Sequence, residues 1–90
     1  MICYVYKSSR KQDHYLYLSD VLEEISPNPV PEALLNMLGE LTFVLDFELT
    51  ESRQLPQANA KQVLSDIASK GFYLQMPKQD MQALEDELFN

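Results

Sequence analysis

Apolar and polar side chains alternate in four short segments of the chain, a pattern typical of β-strands that cover a core with one face. In the clearest segment every second position is apolar: Leu41, Phe43, Leu45, Phe47 and Leu49. The predicted strands cover residues 2–6, 14–18, 41–49 and 72–75. The first two are rich in β-branched and aromatic residues, so we predict an antiparallel hairpin closed by the polar residues 7–13.

The most distinct helix pattern lies between Asn59, a predicted N-cap, and Gly71, which suits the residue after a helix. Its apolar side chains form one stripe: Ala60, Val63, Leu64, Ile67 and Ala68. Because Leu64 and Ile67 occupy the middle of that stripe, we expect both to be almost fully buried.

Other segments also show helical spacing. One helix is predicted from Pro31, in its first turn, to Gly39 at its end. Another covers residues 78–88, with three apolar residues facing inward: Met81, Leu84 and Leu88. The end of that helix is acidic, which opposes the helix dipole and predicts fraying. Residues 19–25 are predicted to add a short helical turn.

The order of these elements is β-β-α-β-α-β-α. Residues 41–75 form a strand–helix–strand unit, which is most simply a right-handed parallel crossover. Together with the antiparallel hairpin, this unit predicts an α/β fold with a mixed four-stranded sheet and about three helices packed on it. At 90 residues the chain has the size of one domain, residues 1–90.

Charge and composition narrow the class of protein. The net charge is −7, which argues against duplex DNA, because phosphate neutralisation supplies most of that affinity. No apolar stretch approaches the roughly 20 residues that cross a bilayer. The single cysteine, Cys3, excludes a disulfide framework within the chain and is predicted to be a buried, reduced thiol. We therefore expect an acidic, soluble, cytoplasmic protein with no membrane partner.

Two stretches stand out by their joint order and spacing. One is YKSSRK at residues 6–11, which leads into YLY at residues 15–17; the other is GFYLQMP at residues 71–77. Together they resemble the YcgL family of small bacterial proteins, and the similarity extends over residues 1–88. The resemblance implies a single-domain α/β/α sandwich in the bacterial cytoplasm, and it supplies no catalytic residue.

Most catalytic and cofactor motifs are missing from the sequence. One Cys, one His and two Gly allow no zinc-finger spacing, no P-loop and no dinucleotide fingerprint, so we expect no cofactor and no enzyme. His14 next to Asp13 could act as a general base for Ser8 or Ser9. A hairpin loop re-entering its strand explains the Asp-His pair more simply.

Two further patterns have a functional and a structural explanation. Asp46 and Glu48 share one strand face and could bind Mg²⁺, but two carboxylates supply too few ligands, so we predict no metal site. Because covered carboxylates are costly, we expect this part of the strand to be an edge, to pass the helices, or to meet a Lys or Arg. Five strand tyrosines could stack on bases, yet such residues more often pack under a helix: Tyr4, Tyr6, Tyr15, Tyr17 and Tyr73.

Positive charge gathers only in the predicted hairpin loop. The candidate anion- or RNA-contacting residues are Lys7, Ser8, Ser9, Arg10 and Lys11. The function that remains after these exclusions is a non-enzymatic protein-interaction module with an unknown protein partner. The alternative is a weak RNA- or nucleotide-binding accessory protein that uses this loop.

Overall fold

A computed structural model describes residues 1–55 and 58–77 of the chain; the helix predicted at residues 78–88 lies outside them. The described elements are β1 (Ile2–Ser8), β2 (Tyr15–Leu18), α1 (Glu32–Leu38), β3 (Leu41–Glu48), α2 (Ala60–Lys70) and β4 (Phe72–Gln75). The four strands and the first two helices are confirmed. Residues 19–25 contain one turn, in which the N–H group of Ile25 donates to the carbonyl of Val21 at 3.0 Å. No helix of the described part is long and apolar enough to span a membrane.

The sheet is antiparallel throughout, with the strand order β3-β1-β2-β4. The predicted mixed sheet with a parallel crossover is therefore wrong. The connection that contains α2 carries the chain from one edge of the sheet to the other, where β4 pairs with β2 and runs opposite to β3. Strand–helix–strand order alone does not fix the distance that the connection spans, and β3 and β4 are not neighbours.

Each face of the sheet carries its own hydrophobic cluster. The cluster on the α2 face is built from Cys3, Val5, Tyr17, Leu49, Ala60, Val63, Ile67 and Tyr73. The cluster on the α1 face is built from Tyr6, Leu16, Leu18 and Val30, with Leu34 and Leu35 of α1 packed against it. Successive strand residues point to opposite faces, so the alternation in β1 and β2 supplies both clusters. Residues 1–55 and 58–77 contain two helices, and the third predicted helix lies outside them.

Helix α2 begins and ends as its sequence predicts. The side chain of Asn59 accepts hydrogen bonds from the N–H groups of Lys61 (2.9 Å) and Gln62 (3.3 Å). Gly71 follows the helix with a φ of 90°, a left-handed conformation that suits glycine. Its N–H group donates to the carbonyl of Ile67 at 2.9 Å. Both ends of the helix are therefore satisfied by local hydrogen bonds.

The buried stripe of α2 is narrower than predicted. Ala60, Val63 and Ile67 are buried, whereas Leu64 is only half-buried and Ala68 is exposed. The prediction that Leu64 is almost fully buried is wrong, and the one for Ile67, at 7% exposure, is confirmed. The helix lies mainly on β4 and more lightly on β2, so it buries one side of the stripe only.

A β-bulge interrupts the alternation of β3. Val5 lies opposite Leu45, but the next residue of β1, Tyr6, lies opposite Phe43, so Val44 is an extra residue in the ladder. The extra residue changes which face the side chains occupy: Phe43 is on the α1 face, and Leu45 is on the α2 face. The prediction of one continuous apolar face from Leu41 to Leu49 is therefore wrong.

Candidate functional site

The predicted binding loop is fastened to the end of α1 by a buried serine. The hydroxyl group of Ser8 donates to the carbonyl of Leu38 at 2.6 Å. The same oxygen accepts from the N–H groups of Arg10 (3.2 Å) and Lys11 (2.9 Å). Because this hydroxyl is buried and already makes three hydrogen bonds, Ser8 holds the loop in place and is not an open ligand for an anion.

Arg10 also contacts α1. Its guanidinium group donates to the carbonyl of Asn36 at 3.1 Å, and its backbone N–H group donates to the carbonyl of Leu38 at 3.2 Å. The chain packs so closely here that a Cβ atom on Gly39 would lie 2.6 Å from Cγ of Arg10. The positive charge of Arg10 thus sits at the carbonyl end of a helix, where cations are favourable.

The candidate cations do not converge on one surface. Strand alternation places Lys7 on the α2 face with Val5, whereas Ser8 and Arg10 bond to α1 on the other face. Ser9 and Lys11 are exposed. The structure therefore brings Ser8, Ser9 and Arg10 together at the end of α1 and separates Lys7 from them.

The candidate catalytic pair, Asp13 and His14, lies where the hairpin loop leads back into β2. Asp13 is exposed and has a φ of 60°, a turn conformation that Asp tolerates better than most residues. His14 is buried, with its Nδ1 atom 2.9 Å from the carbonyl oxygen of Gln12. Its own carbonyl accepts from the N–H group of Ser8 at 3.1 Å. These contacts close the hairpin loop, and the Ser8 hydroxyl donates to the carbonyl of Leu38 instead of to His14.

Three of the strand tyrosines are packed rather than presented to solvent. Tyr17 and Tyr73 meet edge-on under α2, with ring centroids 5.5 Å apart, and Tyr6 is buried on the α1 face. Burial raises the pKa of Tyr17 to about 12 and that of the Cys3 thiol to about 11. Cys3 is thus a buried thiol, as predicted, and burial disfavours its reactive thiolate form.

The two strand carboxylates lie at a sheet edge, which is one of the three expected solutions. β3 is an edge strand, and Asp46 and Glu48 are both exposed on it. A carboxylate oxygen of Glu48 accepts from the terminal ammonium group of Met1 at 3.1 Å. Within residues 1–55 and 58–77, no group of three or more His, Cys, Asp or Glu is placed to share a metal ion.

The outer edge of β3 exposes a run of large apolar side chains. Phe43, Val44 and Leu45 are 49%, 43% and 45% exposed. We call these three residues together with the backbone of Leu41–Glu48 the β3 edge. Sequence patterning missed this surface, because alternation gives the faces of a strand but not its position in a sheet. The sequence does contain one indication that β3 is an edge strand, which is the pair of carboxylates near its end, Asp46 and Glu48.

A shallow groove on the α2 face runs beside the β3 edge. Its volume is about 240 Å³, and its lining is mainly apolar: Val5, Tyr15, Tyr17, Val44, Leu45, Phe47, Leu55, Arg53, Gln54 and Gln75. The guanidinium carbon of Arg53 lies 4.9 Å from the centre of the Phe47 ring, a cation–π distance. Among the described residues, α2 lies mainly on β4 and more lightly on β2, and the groove lies beside the helix, between the tyrosines of β2 and the exposed side of β3.

Comparison with known proteins gives a consistent family. The model of the YcgL domain matches residues 3–78. A YcgL domain-containing protein of Stenotrophomonas maltophilia is 48% identical over 77 residues, 86% of either chain. One from Xanthomonas euvesicatoria pv. vesicatoria is 47% identical over 78 residues, 87% of either chain. One from Histophilus somni is 40% identical over 87 residues, which is 97% of this chain and 91% of the relative.

Proposed function

This chain belongs to the YcgL domain family, and from its surface we propose that it is a non-enzymatic protein-interaction module of the bacterial cytoplasm. The observation that carries the proposal is the exposed apolar run on an eight-residue edge strand. An edge strand offers a row of backbone N–H and C=O groups, and partner proteins bind such rows by adding a strand of their own. The binding surface in this proposal is the β3 edge.

A different protein fits this surface better than a second copy of the chain. Two copies would each bring a net charge of −7, which disfavours their approach. The bulge at Val44 also breaks the flat geometry that indiscriminate edge-to-edge pairing requires. The occupant we propose is an extended peptide segment of a partner protein.

The test is a display library of extended peptides, selected on the wild-type protein. Selected peptides are then synthesised and their binding is measured against Val44→Lys, which places a charge on the edge. Met37→Lys is the matched control, because Met37 is also a large exposed apolar residue but lies on α1. We expect at least about a tenfold loss of affinity in Val44→Lys and no loss in Met37→Lys.

Equal binding to both variants, or selection that yields no binder, would overturn the proposal. Should Val44→Lys fail to fold, Phe43→Lys provides the same comparison on the other face of the strand.

Weak RNA binding through the hairpin loop has less support. The loop residues are exposed in part, but Lys7 and Arg10 lie on different faces of the sheet, and the hydroxyl of Ser8 is committed to Leu38. Phosphate groups of one strand would therefore meet fewer cations than the sequence offers.

A further inference from the structure

The two faces of the β3 edge differ in chemistry, and we infer that together they select a peptide in which apolar and basic residues alternate. The inference rests on the proposed function, because it names the class of segment that the β3 edge would bind.

On the α2 face, the edge continues into the apolar groove. Val44 and Leu45 both line it: Leu45 lies opposite Val5, and the bulge inserts Val44 next to it. Phe47 extends the groove along the strand, and Arg53 lies over its ring. The groove is large enough for apolar side chains, and the positive charge of Arg53 disfavours a lysine or arginine entering it.

On the α1 face, the same edge carries two carboxylates towards the end of β3, beyond the apolar side chain of Phe43. Asp46 lies opposite Tyr4, whose side chain packs on the α1 face, so the carboxylate of Asp46 is on that face too. Glu48, two residues further along, shares the face and is exposed. A basic side chain on this face would meet Asp46 directly.

Strand geometry combines the two faces into one specificity. An added strand lies about 4.8 Å from β3, and its side chains point alternately to the two faces. One set of alternate side chains therefore enters the groove beside Leu45, and the other set passes Asp46. Apolar residues suit the first set and lysine or arginine the second, so the binding motif has a period of two.

The test uses three capped eight-residue peptides, the length of β3. One alternates Lys with Val or Leu; the second has the same composition with all Lys at one end; the third alternates Glu with Val or Leu. Calorimetry is done at about 0.15 M salt, where long-range attraction to the acidic protein is screened within about 8 Å. We expect the alternating Lys peptide to bind at least about tenfold more tightly than either of the others.

Two variants assign the two faces. Asp46→Asn should weaken binding of the alternating Lys peptide several-fold, because it removes the charge that a basic residue meets. Asp66→Asn is the control, since Asp66 is a carboxylate on α2, where its contacts are with Gln62 and Lys70. Leu45→Lys should abolish binding by charging the groove.

The outcomes separate this inference from the proposed function. Equal binding of the alternating and the block peptides overturns the inference, even if selected peptides still bind in a Val44-dependent way. Loss of Val44 dependence for every peptide overturns the proposed function itself. A third outcome is that NMR signals of the β3 edge shift with protein concentration in the absence of peptide. That result would show that a second copy of the chain binds the edge, and it would contradict both the inference and the proposed function.

Discussion

The ring of Tyr6 meets the ring of Phe43 edge-on, with centroids 5.7 Å apart and planes at 70°. The hydroxyl group of the same tyrosine accepts a hydrogen bond from the N–H group of Leu22 at 2.9 Å, which ties the sheet to the segment before α1. Without the bulge at Val44, strand alternation would put Phe43 on the α2 face, with Leu45. The bulge thus gives both faces of β3 an apolar side chain at the sheet edge.

Replacing Ser8 by Ala should destabilise the protein by about 1–3 kcal/mol, because it removes a buried hydroxyl with three hydrogen bonds. The carbonyl of Leu38 and the backbone N–H group of Arg10 keep their bond to each other, whereas the N–H group of Lys11 loses its acceptor. Urea unfolding measures the difference. Ser9→Ala is the matched control, since Ser9 is exposed, and it should change stability by less than about 0.5 kcal/mol. Equal effects of the two substitutions would show that the loop is not fastened through Ser8.

Ile67→Ala should destabilise the fold by about 2–5 kcal/mol, because a buried side chain is truncated against the sheet. Leu64→Ala should have a clearly smaller effect, since Leu64 is half-buried at the border of the same cluster. Thermal and urea unfolding of the two variants give the comparison. A larger effect at Leu64 than at Ile67 would contradict this orientation of α2 on the sheet, in which Ile67 is the more buried of the two.

Stability should fall as pH rises above about 9. Burial raises the pKa of Cys3 from 9.0 to about 11 and that of Tyr17 from 10.0 to about 12. Between the unfolded and the folded pKa of each group, the unfolded chain releases a proton that the folded chain retains, so rising pH favours unfolding. The full stabilisation is present only below the unfolded pKa values. Urea midpoints at pH 7, 9, 10 and 11 measure the slope. Tyr17→Phe should have a shallower decline above pH 10, whatever its stability at pH 7; an unchanged slope would contradict the assignment to Tyr17.

Any RNA affinity of the hairpin loop should be weak and undetectable near physiological salt. Fluorescence anisotropy with a short single-stranded RNA, at low and physiological salt, compares the wild type with a variant in which Lys7, Arg10 and Lys11 are all Ala. Three phosphate contacts on a single strand would give a log–log salt slope of about −2, a loss of about 15–20-fold between about 50 and 200 mM. That slope, lost in the triple variant, would support the RNA alternative; equal behaviour of the two proteins would refute it.

The elements of the fold could be predicted from the sequence because their signals are local. The two periodicities, the N-cap Asn59 and the terminal Gly71 all act within a few residues, and the structure confirms the strands and α2 at nearly the predicted bounds. The sheet order could not be predicted in this way, since it depends on how far the connection through α2 reaches. The strand order then decides that β3 is an edge.

The candidate site was less predictable, for a related reason. The sequence indicates the five residues of the loop by their charge and hydroxyl groups, but the docking of α1 decides which of these groups are exposed, and Ser8 is buried there. Alternation predicts Phe43 and Leu45 on the same face of the strand, whereas they lie on opposite faces, because a bulge of one residue has no signature in an apolar run.

Hydrogen–deuterium exchange of the β3 amides tests the role of the β3 edge most directly. The measurement compares the free protein with the protein saturated by a library-selected peptide. Strand addition predicts that the amides of Leu41–Glu48 that point away from β1 slow by at least about tenfold, while those of α1 (Glu32–Leu38) are unchanged. Saturating binding with no slowing at β3, or with slowing confined to the hairpin loop, would contradict the assignment of the β3 edge as the interaction surface.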